Sequence, residues 1–211
     1  MLYLNDHLED LDLGLALAQL SEQRREQALR FSHDAGRRTC AAAYLLLCEA
    51  LRREYGIADK PLFSYGEHGK PALADHPDIH FNLSHCRLAA ICAVSDRPVG
   101  VDVETVRSFS QSLLQYSMND EEQARILGAS RPDLEFTKLW TMKEAAVKLT
   151  GTGLTHDVKS ILDNLDGAQL QTAVSTDGSY VYSVCQQPAP GTDTDGLLSD
   201  KPTPIFLKKN K

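Results

Sequence analysis

Val99-Gly100-Val101-Asp102-Val103-Glu104 places valine at every second position, the pattern of a strand with one packed face. The valines share that face, and Asp102 and Glu104 emerge together on the other. Upstream, Ile79-His80-Phe81-Asn82-Leu83-Ser84 alternates in the same way, and residues 88–95 form a nearly continuous apolar run of strand length. Downstream, residues 120–127 read as a short helix and 136–150 as a longer one closed by Gly151. Residues 34–55 carry Ala41, Tyr44, Leu45, Cys48, Leu51 and Arg52 at three- and four-residue spacing, with Asp34 as a cap and Gly56 as the stop. Residues 62–65 are β-like and run into a turn at 66–71. Strand-like pieces at 158–162, 170–174 and 180–185 are broken by Asp-Gly turns.

The two long helices echo each other. Cys48 to Gly56 and Lys143 to Gly151 both contain Glu-Ala, then a base four residues after the Glu and a Gly seven after it. The pattern fits an α+β fold of two similar α/β halves, related by a pseudo-twofold axis, with a cofactor cleft between them. The expected division is 1–100 for the N-terminal half, 101–185 for the C-terminal half and 186–211 for a flexible tail rich in Pro, Gly, Thr and Asp.

Composition narrows the classes. The chain has 211 residues, ample for a real core, with 42% hydrophobic and 24% charged residues, ordinary globular values. The apolar run at 40–48 is less than half a membrane span, and the amino terminus lacks a basic-then-apolar leader. Five cysteines without a CxxC pair argue against a disulfide framework or zinc ribbon and for a reducing cytoplasm. A net charge of −7 disfavours a nucleic-acid binder. Within that acidic total, residues 21–53 hold seven arginines against four acids, either a patch for an anion or a solvated helix surface.

Adjacent carboxylates such as Asp102 and Glu104 repel unless a cation lies between them or one stays protonated. Magnesium is the economical cation, and a solvated strand face is the alternative. On a helix, Trp140, Glu144 and Lys148 form one stripe; an ordinary surface ion pair and a core tryptophan are the alternatives. Gly151-Thr152-Gly153 lets backbone pass close to something bulky. Ser84 and His85 suggest a nucleophile and base, but adjacent strand residues face opposite ways, so His85 reads better as a phosphate donor or a turn residue.

In order along the chain, GKPAL (69–73), FNLSH (81–85), GVDVE (100–104) and WTMKEAAVKLTGTG (140–153) resemble the 4′-phosphopantetheinyl transferases of the Sfp type, in the holo-acyl-carrier-protein synthase superfamily. Residues 31–51 resemble the family's arginine-bearing first helix more loosely. The resemblance implies two α/β halves around a cleft that holds coenzyme A and Mg²⁺, with Mn²⁺ able to substitute. It implies Asp102, Glu104 and Glu144 as metal carboxylates, Lys148 as the lysine that neutralises the pyrophosphate, and Ser84 and His85 as coenzyme A contacts. It also implies Lys70 lining the nucleotide pocket and Arg38, with Arg37 beside it, on the 3′-phosphate. His33 stands where relatives often carry another base.

The implied reaction is attack of a carrier-protein serine on the β-phosphorus of coenzyme A, with Asp102, Glu144 and Lys148 as the catalytic set. The product is holo-carrier and adenosine 3′,5′-bisphosphate. Partners would be an acyl carrier protein or carrier domains of fatty-acid, polyketide or peptide synthases, with no membrane and no nucleic acid, and a monomer is expected. A magnesium-dependent pyrophosphate hydrolase and a non-catalytic coenzyme A- or carrier-binding protein remain the alternatives.

Overall fold

The computed structural model describes residues 1–66, 68–153, 157–188 and 203–204. The chain is mixed α+β. One sheet has the order β4-β5-β1-β9, with β4 (His80–His85), β5 (Ala90–Ser95) and β1 (Leu2–Asn5) antiparallel, and the short β9 (Thr203–Pro204) parallel to β1. A second sheet has the order β6-β8-β7, all antiparallel: β6 (Val99–Thr105), β8 (Tyr180–Gln186) and β7 (Gln169–Val174). Strands β2 (Phe63–Tyr65) and β3 (Pro71–Leu73) form a hairpin.

Each sheet carries one long helix. Helix α3 (Asp34–Tyr55) buries the run from Thr39 to Leu47, then Ala50 and Leu51, against β5 and β4. It stops at Gly56, whose φ of 69° is the left-handed conformation glycine adopts without strain. Helices α1 (Leu13–Gln19) and α2 (Glu22–Leu29) pack on α3, each begun by a side-chain cap, Asp12 and Ser21. In the second half α6 (Pro132–Thr150) lies across β6 and β8, with Pro132 in its first turn and Gly151 at φ 73° ending it. Helices α4 (Gln111–Ser117) and α5 (Asp120–Leu127) precede it, α5 opening with a reciprocal Asn119–Glu122 capping box.

Several expectations change. Asp34 is the first residue of α3, and His33 takes the cap position without a side-chain bond. The piece at 158–162 is a 3₁₀ helix, Val158–Asp163. Its carbonyls are used locally: Lys143, fully buried, donates to Val158 O at 2.9 Å and Lys159 O at 3.1 Å and pairs with Glu122 at 2.8 Å. The run at 88–95 starts its strand only at Ala90, because the Cys86 N–H closes a turn on Ala89 O at 2.8 Å. A division at residue 100 falls inside β6. Of the expected tail, Gln186 ends β8 and Thr203–Pro204 pair with β1, while 189–202 and 205–211 lie outside the described residues. No described helix is long and apolar enough to cross a membrane.

Candidate active site

Strand and helix periodicities meet at one cavity. Asp102 and Glu104 project from one face of β6, while Trp140, Glu144 and Lys148 recur at four-residue intervals along α6. All five, with Ser84 and His85 from the end of β4, line a cavity of about 390 Å³. Toward the start of α6 its wall is aromatic: Phe109 stacks on Phe136 with ring centres 4.6 Å apart, and Phe136 on Trp140 at 6.3 Å. Trp140 is therefore a wall of the cavity, and Lys143, one residue before Glu144, is a charged side chain of the motif that is fully buried.

Asp102 is only 3% exposed and sets the electrostatics. Lys148 Nζ donates to its Oδ1 at 2.6 Å, and the Ser84 hydroxyl donates to the same oxygen at 2.8 Å. Its Oδ2 is buried with no hydrogen-bond partner, a deficit that costs about 1–3 kcal/mol for such a group. Burial first, and then repulsion from Asp102, raises Glu104 and Glu144 above the usual carboxylate range; Lys148 offsets part of this at both.

A cavity that leaves one carboxylate oxygen unsatisfied and presses protons onto two others suits a hard divalent cation. Among the described residues no three His, Cys, Asp or Glu groups meet at metal-ligand spacing; the group on Asp102 Oδ1 is the Lys148 ammonium.

Ser84 is an organiser of this cluster. Besides donating to Asp102, its oxygen accepts from Lys148 Nζ at 3.0 Å and from the Val103 N–H at 3.4 Å. With its hydrogen on Asp102 and His85 on the alternate strand face, it does not form a nucleophile–base pair. His85 is held below the usual imidazole range by burial, then by the charges of Arg24 and Lys148. The Phe31 ring stands edge-on to it at 6.1 Å.

Lys70, Arg37 and Arg38 are not in the cavity lining. Lys70 Nζ donates to Leu149 O at 2.8 Å and Val99 O at 3.4 Å, tying the β2–β3 loop to the end of α6, and its stem lies against Gly151. Burial lowers its pKa. Arg37 pairs with Asp34 at 3.0 Å and donates to Phe31 O, while Arg38 donates to Leu11 O at 3.2 Å.

Four further residues belong to this region. Arg24 is buried, its Nε has no partner, and its charge acts on His85. Thr105, whose buried hydroxyl has no partner, joins Arg107 and Phe109 on the cavity wall. The local arginine excess pointed to the neighbourhood of Arg24, and Arg107 follows Glu104 by three residues; nothing local marks Thr105 or Phe109.

The family model of the 4′-phosphopantetheinyl transferase superfamily matches residues 98–193, the stretch that supplies β6 and α6. The chain is similar to 4′-phosphopantetheinyl transferase Sfp of Bacillus subtilis (strain 168), with 29% identity over 162 residues covering 75% of this chain and 72% of the relative. It is 30% identical to 4′-phosphopantetheinyl transferase psf-1 of Bacillus pumilus over 75% of this chain and 71% of that one. For 4′-phosphopantetheinyl transferase HetI of Nostoc sp. the identity is 33%, over 74% and 70%.

Proposed function

The chain belongs to the 4′-phosphopantetheinyl transferase superfamily, and from that premise we propose how its cavity works. The enzyme transfers the 4′-phosphopantetheine group of coenzyme A to a serine of a carrier protein and releases adenosine 3′,5′-bisphosphate. The observation that carries the reading is the ionic cluster: Asp102 with one unsatisfied buried oxygen, Lys148 and Ser84 on the other, and Glu104 and Glu144 facing the same space.

Asp102, Glu104 and Glu144 would hold Mg²⁺, which supplies charge neutralisation at the pyrophosphate. Lys148 turns its ammonium from Asp102 to the reacting phosphates. Glu144, made more basic by burial and by Asp102, takes the carrier serine's proton directly or through a water. The transition state needs positioning and charge compensation more than covalent help. The carrier is a free acyl carrier protein or a carrier domain. The two sheet-and-helix halves are read as pseudo-twofold partners, and one chain supplies both, so a monomer suffices.

The test is intact-mass analysis of apo-carriers after incubation with coenzyme A and Mg²⁺. A phosphopantetheine adduct on the carrier serine is expected. Cleavage of coenzyme A without an adduct would assign a hydrolase, and neither event a binding protein.

Arg38 and Arg24 are proposed for the 3′-phosphate, the latter because its buried guanidinium, one nitrogen held by Gln27 at 2.6 Å, keeps an Nε without a partner and places its charge near His85. Each alanine variant should weaken coenzyme A about tenfold to hundredfold, as loss of a charge-assisted contact implies, and leave dephospho-coenzyme A nearly unchanged. Equal losses for both ligands would make the residue structural.

Proton competition gives a pH prediction. Glu104 and Glu144 have raised folded-state pKa values. Their contribution to stability is present at low pH and lost as pH rises through those values. Binding of a divalent cation reverses the trend, so Mn²⁺ affinity should climb as pH rises from the ordinary carboxylate range through those raised values and then level. A flat titration across that range would remove these two groups from the metal site.

A further inference from the structure

The two sheets meet at β4 and β6, both edge strands. They lie side by side, yet no main-chain ladder joins them among the described residues. An edge strand presents N–H groups that must be satisfied once buried. Here side chains do it. The Val101 N–H donates to Asn82 Oδ1 at 2.9 Å, and the Val103 N–H donates to Ser84 Oγ at 3.4 Å. Asn82 and Ser84 are 6% and 8% exposed, so water does not substitute for either bond.

The spacing follows from strand geometry. Residues two apart share a face, and N–H groups two apart point to the same edge. Asn82 and Ser84 therefore match Val101 and Val103 one for one, with the strands running in the same direction. The residue bracketed by the two bonds is Asp102. The pairing also explains why the two side chains differ. Asn82 needs only an acceptor. Ser84 accepts from Val103 and Lys148 while donating to Asp102, which a hydroxyl does and a carbonyl oxygen cannot.

We propose that Asn82 is a positioning residue for phosphopantetheine transfer: with Ser84 it forms a side-chain seam between β4 and β6 that fixes Asp102 in the cavity. Asn82 does not line the cavity and acts through the backbone on one side of Asp102, as Ser84 does on the other. The inference rests on the transferase reading for its consequence in turnover, but not for the geometry itself.

The experiment compares the full chain with Asn82→Leu, which keeps the size and loses the acceptor, and Asn82→Asp, which restores an oxygen at the same place. Thermal melting, coenzyme A affinity, Mn²⁺ affinity by water-proton relaxation, and kcat and KM for carrier modification are measured on each. Folded Asn82→Leu should bind coenzyme A within about threefold of the parent, lose about tenfold in Mn²⁺ affinity and lose about tenfold to hundredfold in kcat. Asn82→Asp should recover most of both.

Unchanged Mn²⁺ affinity and kcat in folded Asn82→Leu would overturn the proposal. So would losses that follow melting temperature alone and are not rescued by Asn82→Asp. If Asn82→Leu does not fold, Asn82→Ser, whose hydroxyl stops short of the Val101 N–H, is read by the same criteria. If the parent shows no transfer, the transferase reading fails separately, and the Mn²⁺ affinities still decide whether the seam positions Asp102.

Discussion

Asp102→Ala should abolish measurable carrier modification, a fall of roughly 10²–10³-fold or more, while coenzyme A still binds. The size follows from removing a preorganised charge in a water-poor site, where one such group is worth roughly 10²–10³ in turnover. Asp102 is the shared partner of Lys148 at 2.6 Å and Ser84 at 2.8 Å, so the substitution also frees both from their present orientation. Binding survives because the groups proposed for the 3′-phosphate lie outside the cavity lining. Asp102→Asn is the stringent companion: it keeps the shape and an acceptor for Ser84 and loses only the charge. It should remain folded and be almost as inactive. Intact-mass analysis of the carrier, with and without a chelator, reads both. Wild-type rates for Asp102→Ala in chelator would remove the metal-and-cleft mechanism.

Gly100→Ala should be the most damaging small substitution for stability. A Cβ at residue 100 would collide with Ala145 O and Leu149 N, backbone atoms of α6 that have no rotamer to retreat into. Either α6 lifts from β6 or the strand is displaced. Overpacking of this kind costs about 3 kcal/mol, which for a chain of this size lowers the melting temperature by about 6–12 °C. The same lift carries Glu144 and Lys148 away from Asp102, so turnover should fall well beyond the loss of folded protein. A melting temperature within about a degree of the parent would show that helix and strand are not in the close contact described. The glycine of GVDVE thus serves the approach of a helix.

Much of the architecture was legible from local patterns. Helix α3 runs over the 34–55 span that its three- and four-residue spacing predicts, and both long helices end at the glycines that follow them. Helix α5 and strand β6 were equally plain. These features depend on periodicity and on a left-handed stop, both written within one element. Strand β1 was not legible. Leu2–Asn5 is buried throughout, without alternation, and gains its identity from β5, some ninety residues away in sequence. Helices α1 and α2, seven and eight residues long, depend on packing against α3.

At the site the division is the same. That Asp102 and Glu104 share a strand face, and that Trp140, Glu144 and Lys148 share a helix stripe, was readable from the order of residues, because side-chain direction repeats with a fixed local period. Which partner each side chain meets was set by the packing of distant segments. Lys143 is buried on Glu122, Lys70 is held by the carbonyls of Leu149 and Val99, and Asn82 satisfies the Val101 N–H. Those choices are made by burial and by hydrogen bonds between segments remote in sequence, and no local period encodes them.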